Sequence, residues 1–240
     1  MKKSGISILR AGRKAFTMIE MLAVILIVAL LAGSATMYIA DTMAALRMTM
    51  TGEQLLSLFS AAQQTASSEG RVVELRFLKY RDPRQSSGDP FFRTAILLRH
   101  YQAGEASPDP NDNGAPLQQP LSVVSGDRVD AAAGIVFSED TSMSTLLADS
   151  SVRTTEAVSS DAKVKGVGGR FEDWKFPQQV VGSTSILIRP DGTTNLDPSD
   201  KWFVTALYER SEAAASKDDV KNFYCIQIDP ANSRIVSYRP

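Results

Sequence analysis

The sequence predicts an α+β fold, a long N-terminal helix whose first half spans a membrane, packed on a C-terminal antiparallel β-sheet domain. Three observations predict it. Phe16 to Ala40 runs 25 residues with Glu20 as its single charge. Apolar residues then recur at helical spacing to about Ala66. From Val73 the period changes to two, and the apolar runs are separated by turns with no intervening helices.

Residues 1–15 (MKKSGISILRAGRKA) carry Lys2, Lys3, Arg10, Arg13 and Lys14 and no acid. The run from 16 to 40 is long enough to cross a bilayer, for which about 20 apolar residues suffice. The basic leader places the N-terminus in the cytoplasm and exports the rest, as a single-pass protein of the inner membrane. The whole chain has 26 Lys+Arg against 27 Asp+Glu, net −1; without residues 1–15 the balance is 26 − 5 = 21 against 27, net −6. That excludes a basic nucleic-acid binder at the level of the whole chain. One cysteine excludes a disulfide framework and a Cys-rich zinc site, and one histidine removes most metal and Ser/His/Asp arrangements.

Beyond Ala40 the helix continues as an amphipathic segment, 41–69. Its stripe is Met43, Leu46, Met50, Leu55, Phe59, Ala62 and Ala66, with Gly52 a local weak point. Ser67-Ser68-Glu69-Gly70 reads as the helix end, with Gly70 at C′. The globular domain is expected over 70–240, with long loops at 81–93, 102–120 and 138–170. Its strands are VVELRFLKY (72–80), TAILLRHY (94–101), SILIR (185–189), WFVTALYE (202–209), FYCIQID (223–229) and RIVSY (234–238). LSVV and GIVF, within 121–137, are shorter candidates. Within 138–170 only Leu146-Leu147 is a firm apolar pair, which suggests a long excursion or a short helix. Pro230-Ala231-Asn232-Ser233 suits a hairpin between the last two strands.

Candidate chemistry is sparse, and no cofactor is expected. His100 stands in a strand beside Arg99 and Tyr101 with no second histidine, which reads as a structural or surface residue. Cys225 lies among Phe223, Tyr224 and Ile226, the setting of an inert thiol. There is no Gly-x-Ser-x-Gly elbow. Gly166-Val167-Gly168-Gly169 lacks the Lys-Ser/Thr and the strand–helix context of a phosphate loop. Asp109-Pro110-Asn111-Asp112-Asn113-Gly114 fits the first six positions of a calcium loop, with Asp109, Asn111 and Asn113 as ligands. Pro120 stands where the bidentate Glu belongs, and the same residues also serve plain turns.

Glu20 has the most to say about function. A carboxylate five residues into an apolar helix is costly without a partner. A signal peptide cleaved after Gly33 and Ala35, or an uncleaved anchor, has no use for it. A filament does: the carboxylate of one subunit can pair with the α-amino group of its neighbour, if the chain is cut immediately before Phe16.

The stretch Lys14-Ala15-Phe16-Thr17-Met18-Ile19-Glu20-Met21-Leu22 resembles the type IV prepilin and type II secretion pseudopilin superfamily. The resemblance implies cleavage by a prepilin peptidase between Ala15 and Phe16, N-methylation of Phe16, and a docking role for Glu20. The residue before the cut is usually Gly in that family and is Ala15 here. Ile188-Arg189-Pro190-Asp191-Gly192-Thr193 with its following strands looks like the domain of H-type minor pseudopilins. VVELRFLKYRDP, ILIRPDGTT with KWFVT, and NFYCIQIDPANSRIVSYRP are similar to the prepilin-like D family of the verrucomicrobial "Verru_Chthon cassette" group. The resemblance implies a pilin-like fold and a non-enzymatic minor subunit of a pilus-like or secretion-like filament. Its partners would be the peptidase, other pilin or pseudopilin subunits, an inner-membrane assembly platform and lipid, with no nucleic acid. Two other readings stand beside it. One is an anchored or filament-tip adhesion or substrate-binding module using the long loops. The other is an exported enzyme behind an ordinary signal peptide.

Overall fold

The structure, a computed structural model, describes residues 16–82, 88–107, 113–118, 121–124, 128–148, 153–154, 164–166, 180–213, 220 and 222–240. At 34–41, 121, 124, 153–154 and 164–166 the backbone alone is described. Helix α1 is Met18–Glu69. Within it the chain divides into two compact units, Met1–Ala44 and Ala45–Pro240.

In the first unit α1 is apolar on all sides. Met18, Ile19, Leu22, Leu26, Leu30 and Leu31 are all exposed. A helix that is apolar all round needs lipid or other helices as its surroundings. Among the described residues no helix is long and apolar enough to cross a membrane. The described side chains of this unit's apolar run end at Gly33, whereas the run read from the sequence continues to Ala40.

The second unit is a sheet crossed by the C-terminal part of α1. Its strands are β1 (Val73–Tyr80), β2 (Phe91–Tyr101), β3 (Leu121–Val124), β4 (Val129–Asp130), β5 (Ile135–Phe137), β6 (Arg153–Thr154), β7 (Val164–Gly166), β8 (Val180–Ile188), β9 (Trp202–Tyr208), β10 (Phe223–Ile228) and β11 (Ile235–Tyr238). Along the sheet the order is β11-β10-β9-β5-β2-β1-β8-β6, with β3 and β4 also on β2 and β7 on β3. Pairing is antiparallel throughout except for the parallel β3–β7 pair. The expected α+β architecture is therefore present, with β4, β6 and β7 added. Two short helices, α2 (Thr145–Ala148) and α3 (Glu209–Glu212), complete it. α2 forms at the apolar pair, with Leu146 and Leu147 fully buried.

Alternation along the strands sends Val73, Leu75 and Phe77 of β1, and Tyr224, Ile226 and Ile228 of β10, into one core with α1. Phe77 meets Phe137 edge-on at 5.6 Å between ring centres and Phe59 at 6.4 Å. The α1 residues buried there include Met48, Leu55, Phe59, Ala62 and Ala66.

The predicted stripe is corrected at its start. Met43, Leu46 and Met50 are exposed, at 48%, 52% and 53%. The step from Met50 to Leu55 is five residues, about 500° of helix, so it lands roughly 140° off a single face. The buried stripe runs Met48, Gly52, Leu55, Phe59, Ala62, Ala66 at steps of four and three. Gly52 is likewise not a weak point. A Cβ there would fall on the Tyr224 ring, inside 3.0 Å of Cγ, Cδ1 and Cδ2. Glycine is what lets that ring lie on the helix backbone, where its hydroxyl donates to Glu53 Oε1 at 2.9 Å. Gly70 behaves as read: φ is +63°, and Arg71 N–H donates to Ala66 O at 3.3 Å, the Schellman closure.

The turns are tied to one another. In the β8–β9 connection Asp191 Oδ1 accepts from Thr193 N–H (2.9 Å) and its hydroxyl (2.8 Å), and Gly192 takes φ +84°. Thr194 N–H donates to Pro230 O at 3.0 Å, Ser233 Oγ donates to Gly192 O, and Gln63 of α1 donates to Ser233 O. The hairpin turn at 230–233 is thus clamped between the Arg189–Thr193 turn and α1. At the other flank of β9, the Thr145 hydroxyl accepts from Phe203 N–H at 3.0 Å and donates to Lys201 O at 2.8 Å. The start of α2 therefore closes a strand edge that would otherwise be open.

Candidate functional site

α1 opens on a reciprocal cap. Thr17 is the residue before the first helical position, and its carbonyl accepts from Met21 N–H at 3.2 Å. Its Oγ1 accepts from Glu20 N–H at 3.3 Å. In return Glu20 Oε2 accepts from Thr17 N–H and from the Thr17 hydroxyl, each at 3.0 Å. This is the T-x-x-E capping box, with a carboxylate at the positive end of the helix. Its signature, Thr17-Met18-Ile19-Glu20 before an apolar run, stands in the sequence beside the unpaired-charge argument for Glu20. Among the described residues Oε1 has no partner, so one carboxylate oxygen caps and the other stays available. Phe16, just ahead, is 73% exposed. Ala15 and the basic leader lie outside the described residues.

The other candidates are dispersed. His100 is bound to a buried carboxylate: its Nε2 stands 2.7 Å from Glu74 Oε2, and Arg76 Nε donates to Glu74 Oε1 at 2.6 Å. Burial pushes the Glu74 pKa up, but the hydrogen bonds and charges of His100 and Arg76 outweigh it and hold it at about 2. The trio is an internal ion cluster on the sheet face turned away from α1, among the fully buried Leu78, Ile96 and Leu98. Alternation with Val73 and Leu75 would by itself put Glu74 on a solvated face; tertiary structure buries that second face as well.

Cys225 is half-buried in β10, and burial pushes its thiol pKa up. Gly166 ends β7, and 167–169 lie outside the described residues. Of the calcium-loop positions Asp109 and Asn111 are outside the described residues, and Asn113 has φ +47° before Gly114 at +69°. Among the described residues no group of three or more His, Cys, Asp or Glu could hold a metal ion. The flanks of that loop pair: Gly104 N–H donates to Leu117 O at 2.6 Å, Ser107 N–H to Ala115 O at 2.7 Å and Leu117 N–H to Glu105 O at 2.7 Å. Arg71 holds this small hairpin through Glu105 at 2.6 Å.

The chemistry of the described residues thus concentrates at the N-terminal end of α1: an exposed aromatic, a cap with a spare carboxylate oxygen, and an uncovered apolar helix. Residues 10–36 match the prokaryotic N-terminal methylation motif. The match brackets Ala15, Phe16, Thr17 and Glu20. Among solved structures, the type IV minor pilin FimU of Pseudomonas aeruginosa (strain PAO1) aligns over 80% of this chain and 92% of its own, at 10% identity and a TM-score of 0.34. No curated protein matches the chain. The architecture itself rests on the element order and strand pairing given above.

Proposed function

We propose that the chain is a structural, non-enzymatic subunit, a minor pilin or pseudopilin, of a type IV pilus-like or type II secretion-like filament. A prepilin peptidase cuts between Ala15 and Phe16, and the new Phe16 amine is methylated. The apolar part of α1 holds the subunit in the inner membrane and then in the filament core, and the second unit faces outward. Glu20 of one subunit pairs with the Phe16 amine of the next. The assembly platform and the other subunits are its partners.

The observation that carries this reading is the methylation motif over 10–36, in which Phe16 and Glu20 flank a helix start. The exposed apolar first unit supports it, because that surface requires lipid or neighbouring helices. The test is mass spectrometry of the chain recovered from membranes of a host with an active prepilin peptidase. A mature chain beginning at N-methyl-Phe16 is expected. A start at Thr36 would mean a secretory signal peptide, and one at Met1 an uncleaved anchor; either overturns the proposal.

A further inference from the structure

The free edge of β11 is the feature that nothing above accounts for. Among the described residues β11 lies at the end of the sheet, paired with β10 alone, and Val236, Ser237, Tyr238 and Arg239 are all exposed. Asp229 N–H donates to Arg234 O at 2.9 Å, which makes 229/234 a hydrogen-bonded pair. Antiparallel pairs alternate in type, so Val236 and Tyr238 also turn their backbone groups toward β10. The backbone groups of Ile235, Ser237 and Arg239 therefore point outward. No proline interrupts them before Pro240. An edge of this kind is a template for another strand.

The side chains say which strand. Ile235 and Ser237 stand opposite Ile228 and Ile226 on the core side, so Val236 and Tyr238 project from the other face, 37% and 51% exposed. Arg234 and Arg239 bracket the edge and enter no ion pair among the described residues, and 234–240 contains no acidic side chain. This cationic edge belongs to a chain that carries net −6 beyond residue 15, by 21 basic against 27 acidic residues. A second copy is a poor donor. Antiparallel pairing through Ser237 sets Arg239 of one copy beside Ile235 and Arg234 of the other, cation near cation at both ends.

We propose that the β11 edge is a strand-addition site for an extended segment of another protein, apolar at alternate positions and acidic at its ends. Backbone bonds to Ile235, Ser237 and Arg239 would supply affinity, Val236 and Tyr238 the apolar contacts, and the two arginines the choice of partner.

The test uses the full chain in detergent and a fluorescent peptide of alternating valine and threonine with aspartate at each end, followed by anisotropy. Saturable binding is expected. It should weaken about tenfold when both arginines are replaced (Arg234→Glu with Arg239→Glu). Ser237→Pro should weaken it by about tenfold or more, since it deletes an outward N–H and leaves the β10 pairing in place. The same peptide N-methylated at alternate residues, which requires no change to the protein, should not bind. Absence of saturable binding, or equal binding by the N-methylated or lysine-ended peptide, overturns the proposal. So does a homodimer in sedimentation that Ser237→Pro abolishes, because the occupant is then a second copy.

Discussion

Replacing Gly52 by alanine tests whether the sheet and α1 meet as described. In a helix interior alanine is favoured over glycine by about 1 kcal/mol, so a glycine there for no packing reason would give way to a more stable protein. The structure reverses that expectation. The new methyl would fall on Cγ and both Cδ atoms of Tyr224, at the root of a ring that is only 4% exposed. The root of a ring cannot swing aside as the end of a lysine can, so the helix or β10 must shift. Overpacking of this sort costs about 1–3 kcal/mol. Displacing the ring also strains the Tyr224–Glu53 hydrogen bond, worth about 1 kcal/mol. Set against the propensity gain, a net loss of roughly 2 kcal/mol is expected.

For a unit the size of Ala45–Pro240 such a loss lowers Tm by about 4–8 °C. Thermal unfolding of the full chain in detergent, followed by circular dichroism, reads it. The cycle with Tyr224→Ala sharpens the test. Without the ring, Gly52→Ala should become stabilising by about 1 kcal/mol, a reversal of sign. If Gly52→Ala raises Tm in the parent, or has the same effect in both backgrounds, the close approach of Tyr224 to α1 is wrong.

Three further outcomes are expected. Acid should destabilise the second unit through Glu74: its folded pKa of about 2 lies below the ordinary carboxyl value of 4.5, so the unfolded state binds the extra proton. The stability is present above about pH 5 and falls away toward pH 2, by on the order of 3 kcal/mol, and the fall should be absent in Glu74→Gln when both are unfolded by urea across that range. Gly70→Ala should cost about 1 kcal/mol because its φ of +63° favours glycine, a drop of roughly 2–4 °C in Tm. Thr17→Ala should leave the helix in place but quicken hydrogen exchange at the amides of residues 18–21 by about fivefold, by removing the cap. Unchanged exchange would mean that the cap does not hold in solution.

How much was legible in the sequence depended on whether one period decided the matter. The strands at 73–80, 202–208 and 223–228 follow from alternation, and the helix end at Gly70 follows from a residue whose backbone freedom has one use there. The face of α1 did not follow, because the helix carries apolar residues on two sides: Leu46 and Met50 on one, Met48, Leu55 and Phe59 on the other. Only the sheet decides which is covered. Glu74 did not follow either, since alternation puts it on the face opposite Val73 and Leu75, and tertiary structure buries it there, whereas His100 is the structural residue that its isolation suggested. The β10–β11 hairpin was legible in outline, but its clamp through Ser233 to Gly192 and Gln63 joins residues 41 and 170 positions apart. No local pattern carries such a pairing.

On the proposed role, Glu20 serves both its own helix start and a neighbouring subunit, and the cap geometry leaves room for both. Were the whole Glu20 carboxylate engaged by Thr17, a neighbour's amine could reach it only by undoing the cap. The geometry avoids that exchange, because both Thr17 bonds go to Oε2 and Oε1 has no partner among the described residues. On the proposed role, an incoming ammonium takes Oε1 while the cap persists on Oε2, so docking adds to the helix start rather than replacing it. The two duties can then be separated by substitution. Glutamine at position 20 keeps an oxygen for the cap and loses the charge; valine loses both. If docking is the function, Glu20→Gln should retain slow exchange at residues 18–21 yet enter filaments as poorly as Glu20→Val. Normal incorporation of Glu20→Gln would reduce Glu20 to a helix cap.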